Sequence, residues 1–141
     1  MDAVKGDRGQ AVVLAALVIA IAAAVIVGLQ LQQDRAFVLE RARRAGEAAA
    51  EAATTAVADA YTSALREAIL VKRPMDIGRV LGSNATRDAA RGAAVEASAA
   101  NGGGDVDDIA ARCADGKVEV TVIIAGASYR AGFPASECSR R

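Results

Sequence analysis

AVVLAALVIAIAAAVIVGL, from Ala11 to Leu29, is a run of nineteen residues without a charged or polar side chain. In a helix at ~1.5 Å per residue it spans roughly 29 Å, which matches the hydrocarbon layer of a bilayer. A helix buried in a globular core would carry a polar stripe, and a cleaved secretory signal would have an apolar region of only about 7–15 residues. The run therefore predicts a retained transmembrane segment, which we place at residues 11–31, after a short leader or cytoplasmic tail at residues 1–10.

The charges around this segment bear on its orientation. Lys5 and Arg8 precede it, and four arginines follow it between residues 35 and 44. Counted literally, the positive-inside rule favours a cytoplasmic C-terminal part. The N-terminal tail is too short to form a domain, however, and the two cysteines near the C-terminus favour an oxidising compartment. We therefore expect a single-pass protein of the cell membrane with its C-terminal domain outside.

The composition argues against enzymatic and nucleic-acid-binding functions. Seventeen basic and seventeen acidic residues give a net charge of zero, so no broad basic face is implied. The absence of His removes the commonest general base and metal ligand. Apolar residues make up 53% of the chain but aromatic residues only 3%, which indicates long, closely packed helices rather than a thick core. We expect no enzymatic activity, cofactor, metal, nucleic acid or small-molecule substrate.

A short acidic run follows a glycine triplet in the C-terminal half. Asp105, Asp107 and Asp108 superficially resemble a calcium loop, but the terminal Glu of such a loop is missing. Gly102–Gly104 lacks the strand–loop–helix context and the Lys of a phosphate-binding loop. We interpret this region as a solvated, flexible connection.

The chain beyond the membrane segment is rich in helix-forming residues. Gln30–Val71 contains no Pro and many Ala, Glu, Arg, Leu and Gln. This predicts one continuous helix over about Gly9–Val71, on the order of 90 Å long, with its exposed half at residues 32–73. The helix should end before Pro74, because proline disfavours helical geometry in the residue that precedes it.

The exposed half of this helix carries a heptad-like seam of small and apolar residues. Spacings of four and three residues, with small side chains at the packing positions, suit close helix-on-helix packing in a bundle or filament. The predicted packing residues are Val38, Ala42, Ala45, Ala49, Ala52 and Ala56.

Residues 74–141 are expected to form a small C-terminal α/β domain. Its first part, MDIGRVLGSNAT from Met75 to Thr86, contains several turn formers and is interpreted as a loop. A second helix should run from about Thr86 to Ala100, with Thr86 or Asn84 as its cap. Asn101 and the glycines after it should end this helix.

The clearest strand signal in the chain is KVEVTVIIA, in which apolar residues alternate from Val118 to Ile124. Asp115-Gly116, just before it, is typical of a tight hairpin turn, which makes residues 108–114 the partner strand. A turn at Gly126 could be followed by a third strand over residues 127–131. Three short strands with one apolar face must pack on something, and the long helix is the available partner.

The two cysteines, Cys113 and Cys138, lie about 25 residues apart. They are either two unrelated thiols or, in an oxidising compartment, a disulfide that contributes roughly 3–4 kcal/mol. We favour the disulfide, which would pin the C-terminal tail onto the sheet. The predicted fold class is α+β, with one long N-terminal helix, a short second helix and a small antiparallel sheet.

RGQAVVLAALVIAIAAAVIVGLQLQ, followed by the alanine-rich RARRAGEAAAEAATTAVADA, resembles the N-terminal region of TadE/TadG-like proteins of the tight-adherence (Tad or Flp) branch of type IV pilus systems. The likeness is sharpest at Arg8-Gly9-Gln10-Ala11-Val12. It extends more loosely to AARGAAVEASAANGGG and to the strand VEVTVIIA.

This resemblance implies a type IV pilin-like fold and a structural function. The chain would be a major or minor pilin-like subunit that polymerises with itself or with other pilin-like subunits, or a membrane-retained accessory of the same apparatus. It also implies a processing site at Gly9 and Gln10. After a cut there, Leu14 would occupy the fifth mature position, where pilins of this class usually carry Glu. A rival interpretation from another class is a membrane-anchored module that binds or senses a ligand.

Overall fold

The structure, a computed structural model, describes residues 5–139, without the side chains of residues 5–11 and of Leu31. The chain folds into an α+β arrangement with one very long N-terminal helix and a C-terminal antiparallel sheet. In chain order the elements are α1 (Lys5–Leu70), α2 (Ile77–Gly82), α3 (Asn84–Ala100), β1 (Val106–Ala114), β2 (Lys117–Ile124), β3 (Ala127–Pro134) and a final 3-10 turn (Ser136–Ser139).

The described chain divides into two compact units, one ending at residue 39 and the other beginning at residue 40. The first unit is the N-terminal part of α1. Its large apolar side chains from Val12 to Leu29 are 55–69% exposed. Over the described residues, α1 is one helix that is long and apolar enough to cross a membrane. The predicted apolar helix near the N-terminus is therefore present.

The second unit is built around a three-stranded meander with β2 at its centre. Both neighbours are antiparallel to β2, and Val120 lies opposite Ala111 of β1 and Ala131 of β3. Side chains alternate between the two faces of a strand. The alternation predicted for β2 is confirmed, since its inward-facing residues are all buried: Val118, Val120, Val122 and Ile124.

The inner face of this sheet is covered by alanine-rich helix surfaces. The core cluster joins the β2 residues to residues of α1 and α3, and of these α1 and α3 residues only Val57 is larger than alanine. Small side chains let the helix backbones approach the sheet closely, so branched valines can fill the space between them. The α1 and α3 residues of this cluster are Ala49, Ala50, Ala53, Val57, Ala90 and Ala94, and Ile77 of α2 joins them.

Helix α1 ends in a Schellman motif just before Pro74. Lys72 adopts a left-handed conformation with φ of 52°, and its amide donates to the carbonyl of Ile69 at 3.2 Å. The amide of Arg73 donates to the carbonyl of Ala68 at 3.0 Å. This pair of hydrogen bonds satisfies carbonyls at the helix end. The predicted stop before the proline is therefore confirmed.

The stretch interpreted as a loop contains a helix, so that prediction is wrong. α2 covers Ile77–Gly82, and the side chain of Asp76 caps it by accepting from the amide of Arg79 at 3.1 Å. The buried side chain of Ile77 anchors this short helix to the core. The physical reason is that a capped, anchored helix of six residues tolerates glycine at both ends.

The predicted cap of α3 is also wrong by a few residues. Ser83 is the N-cap, and its hydroxyl oxygen accepts from the amide of Thr86 at 3.1 Å. Thr86 is instead the third residue of the helix, where it is buried and its Oγ1 accepts from the Ser83 hydroxyl. The end of α3 at Asn101 agrees with the prediction.

Candidate functional site: helix surfaces and the disulfide-bearing sheet

The first candidate surface is the apolar part of α1. Its exposed residues include branched and long aliphatic side chains, interspersed with seven alanines and Gly28 between residues 11 and 29. A Cβ at position 28 would meet no atom within 4 Å. A surface of this kind can face lipid tails, or it can pack on other helices that approach closely at the small residues.

The predicted packing seam falls into two parts. Val38 and Ala42 are exposed, whereas Ala45 and Ala49 are buried within the second unit. The remaining two, Ala52 and Ala56, are half-buried. Two seam positions are therefore covered by the chain's own domain, and the use of the others in packing between copies stays a prediction.

At Gly46 a side chain of the sheet lies directly against the backbone of α1. The ring of Tyr129 occupies the space that a Cβ at residue 46 would need. The Tyr129 hydroxyl is also 3.5 Å from the carbonyl oxygen of Ala42, one turn earlier in α1. This contact was not predicted from the sequence, although Gly46 is the one glycine of α1 that lies C-terminal to Gly28.

The two cysteines form a disulfide that ties the end of the chain to β1. The Cα atoms of Cys113 and Cys138 are 5.2 Å apart, which lies within the usual range. Cys113 is opposite Val118, on the inner face of the sheet. Cys138 belongs to the 3-10 turn Ser136–Ser139, so the bond holds that turn against the core.

A tyrosine on α1 meets the same turn. The hydroxyl of Tyr61 donates to the carboxylate of Glu137, which also accepts from the Ser136 hydroxyl at 3.0 Å. The Tyr61 ring packs on Phe133 with 5.5 Å between ring centroids. Burial raises the pKa of the Tyr61 phenol, and the Glu137 carboxylate raises it further because phenolate would be repelled. The neutral phenol is thus the form that the fold favours.

The outer face of the sheet carries a cross-strand ion pair. Arg112 and Glu119 lie opposite each other on β1 and β2, with 2.7 Å between Nη2 and Oε1. The hydrogen bond from Arg112 lowers the pKa of the Glu119 carboxyl group. The pair is solvent-exposed, so we expect it to help set strand register rather than to add much stability.

Two open grooves lie in the second unit. One, of about 610 Å³, follows β1 from Asp108 to Cys113 and is bounded on the other side by residues of α2 and α3 such as Leu81. The other, of about 670 Å³, lies where α1 turns into α2 and is lined by Ile69, Met75 and Lys72 among others. Within the described residues no cluster of His, Cys, Asp or Glu could hold a metal ion.

The predicted processing site at Gly9 and Gln10 falls within α1, where side chains are not described, and its cleavage stays a prediction. Most of the predicted leader is described only as backbone, and residues 1–4 lie outside the described residues.

Comparison with known proteins gives no relatives for this chain: no protein-family model, no curated protein and no solved structure matches it.

Proposed function

We propose that the chain is a pilin-like structural subunit of a pilus of the tight-adherence branch of type IV systems. In this proposal the apolar part of α1 anchors it as a single-pass protein of the cell membrane. The C-terminal domain lies outside the cell, and subunits polymerise through their apolar helices, with themselves or with other pilin-like subunits. The observation that carries the proposal is the 55–69% exposure of the large apolar side chains over Val12–Leu29.

The physical mechanism is an exchange of contacts. In the membrane these side chains face lipid tails, and in a filament they would face neighbouring helices, so apolar surface stays out of water in both states. The seven alanines and Gly28 allow the close approach that replaces lipid packing with protein packing. No charge has to be removed from water in this transfer, because residues 11–29 contain none.

The domain from residue 40 onward supports the same proposal. Its inner sheet face is covered by α1 and α3, and its C-terminal turn is fixed to β1 by the disulfide between Cys113 and Cys138. A domain that is cross-linked in this way would survive outside the cell after the anchor helix leaves the membrane. The proposal treats the chain as structural rather than enzymatic.

A series of single Ala→Leu substitutions over residues 15–24 separates a filament subunit from a simple anchor. Leucine favours membrane insertion, so every variant should reach the membrane. If the helix packs in a filament, substitutions on the packing face should lower the amount of protein in sheared surface material at least tenfold. The sensitive positions should recur about every 3.6 residues. Uniform tolerance of all substitutions would contradict packing of this helix.

The opposite change gives the matched control. Ile21→Asp places a charge in the middle of the apolar run and should remove the chain from both membrane and filaments, whereas Ile21→Leu should behave as wild type. Wild-type protein confined to washed membranes would favour the alternative, a membrane-anchored accessory or ligand-sensing protein.

A further inference from the structure

The end of α1 presents a compact apolar surface to solvent. Ile69, Leu70 and Val71 are 67%, 83% and 54% exposed. In the described chain after residue 39, the one other large aliphatic side chain that is exposed is Val95, at 46%. Three consecutive exposed apolar residues are unusual on a surface that has no partner. We call residues 69–73 the distal tip.

Two cations complete this tip. Lys72 and Arg73 follow the apolar triplet and are exposed. Among the described residues neither lies within 4 Å of a carboxylate in an ion pair. Cations at a helix C-terminus are favoured by the helix dipole, which accounts for their charge but not for the exposed triplet. The tip therefore has the composition of a docking surface for a partner that is apolar and negative.

The opposite end of the same unit carries an acidic loop, beside the exposed Arg41. Gly102 packs on the side chain of Arg41, and Gly103 packs against Ala45, so the α3–β1 loop lies beside the first turns of the helix in this unit. Asp105, Asp107 and Asp108 in or just after this loop are exposed. From Arg41 to Ile69 the helix rises roughly 42 Å, so the cationic and acidic ends are well separated.

We propose that these two ends meet between copies: the distal tip of one copy docks on the acidic loop of the next. The contact joins different surfaces, so it can repeat from copy to copy, and it gives an open filament with all α1 helices pointing the same way when the rotation between copies does not close into a ring. That arrangement is the one a filament requires, and the inference rests on the proposed function. The charges of Lys72 and Arg73 are complementary to the three aspartates of this loop, which favours it as the site of contact on a second copy.

The acidic end can also supply apolar contact. The β2–β3 turn at Ala125 and Gly126 is exposed, and the Gly126 amide donates to the Asp107 carboxylate at 3.2 Å. This bond holds the small turn residues next to the acidic loop. Leu70 and Val71 of the neighbouring copy would cover this turn while their two cations face Asp105 and Asp108.

Charge reversal in intact cells tests the contact. Lys72→Glu with Arg73→Glu, or Asp105→Lys with Asp108→Lys, should each lower the protein recovered in sheared filaments at least tenfold. The four changes together should restore most of it. Asp107 is left unchanged because it holds Gly126. Unaltered hydrogen exchange of the β2 amides would show that each variant folds.

A cross-link supplies the second measurement. Val71→Cys combined with Asp105→Cys should give a ladder of disulfide-linked chains in oxidised filaments, and either change alone should not. Normal filament content for both reversed pairs, together with no ladder, overturns the inference while leaving the filament itself intact. Wild-type protein absent from filaments would defeat the proposed function instead.

A lipid surface is the other chemistry that could cover such a tip. Wild-type filaments can be mixed with vesicles of phosphatidylglycerol or of phosphatidylcholine. If the Lys72→Glu, Arg73→Glu variant forms normal filaments but loses binding to the anionic vesicles, the tip is a membrane contact and the contact between copies is refuted.

Discussion

The ring of Tyr129 lies directly against the backbone of Gly46, in the space that any larger residue's Cβ would occupy. This contact joins β3 to the long helix α1. It explains a glycine in the middle of a helix, where glycine is less favourable than alanine by about 1 kcal/mol. Close approach of the sheet to α1 thus depends on one missing methyl group.

Gly46→Ala is therefore expected to destabilise the second unit by about 1–3 kcal/mol, because the Tyr129 ring must leave its site. Native-state hydrogen exchange of the β2 amides, in detergent, measures this free energy independently of the apolar N-terminal part of α1. Gly92→Ala in α3 is the matched control, since a Cβ there meets nothing within 4 Å, and it should stabilise by about 0.5–1 kcal/mol.

The double variant makes the cause explicit. In a Tyr129→Ala background, Gly46→Ala should become neutral or stabilising, because only the helix preference for alanine remains. An equal loss of stability in both backgrounds would show that the ring is not what requires the glycine.

The β2–β3 turn offers a stabilising substitution. Ala125 has φ of 50° and is followed by Gly126 with φ of 76°, which is the backbone geometry of the Asp115-Gly116 turn. Alanine is disfavoured there and asparagine is tolerated. Ala125→Asn should raise the free energy of unfolding by about 1 kcal/mol, measured by the same exchange experiment. Asp115→Ala should lower the free energy of unfolding by a similar amount. A loss of stability from Ala125→Asn, or a gain from Asp115→Ala, would refute the turn assignment.

The contact between Tyr61 and Glu137 predicts an alkaline loss of stability. The pKa of the Tyr61 phenol is raised in the folded state, mainly by burial. Its contribution is therefore fully present below the unfolded pKa of about 10 and is lost as the pH rises through the higher folded pKa.

Tyr61→Phe should cost about 1 kcal/mol at pH 7 and flatten the decline above pH 10, as followed by hydrogen exchange or chemical denaturation. Tyr129→Phe leaves the contact between Tyr61 and Glu137 in place and should retain the decline. A steep alkaline loss that survives in Tyr61→Phe would assign it to another group.

Removal of the disulfide should act on the unfolded chain more than on the fold. Cys113→Ser with Cys138→Ser opens a loop with a sequence separation of 25 residues. The expected loss in unfolding free energy is about 3–4 kcal/mol. Chemical reduction of the wild type should give the same loss, and an unchanged stability after complete reduction would contradict a structural role for the bond.

Local sequence signals were sufficient for the sheet. The alternating valines indicate β2, and Asp115-Gly116 indicates the turn that precedes it. Both signals depend only on neighbouring residues, so the sequence alone is enough to recognise them. The observed strands are slightly longer than predicted, since β1 begins at Val106 and β3 continues to Pro134. Pairing with β2 extends them beyond what their own composition indicates.

The buried face of α1 could not be chosen from the sequence in the same way. Alanine occurs on every side of this helix, so a spacing of three and four residues can be drawn along more than one face. Burial of Ala50, Ala53 and Val57 depends on where the sheet lies, which is a tertiary effect. Gly46 was the available signal, because a glycine inside a long helix often marks a close approach.

The intact mass of the protein in sheared surface material, compared with that in washed membranes, tests the central claim most directly. The account predicts a surface species that is two hydrogens lighter than its thiol form and, if the predicted processing occurs, begins at Gln10. A full-length surface species would support the filament proposal and contradict the predicted cleavage. Protein found only in membranes, with none in the sheared fraction, would contradict the proposal that this chain is a filament subunit.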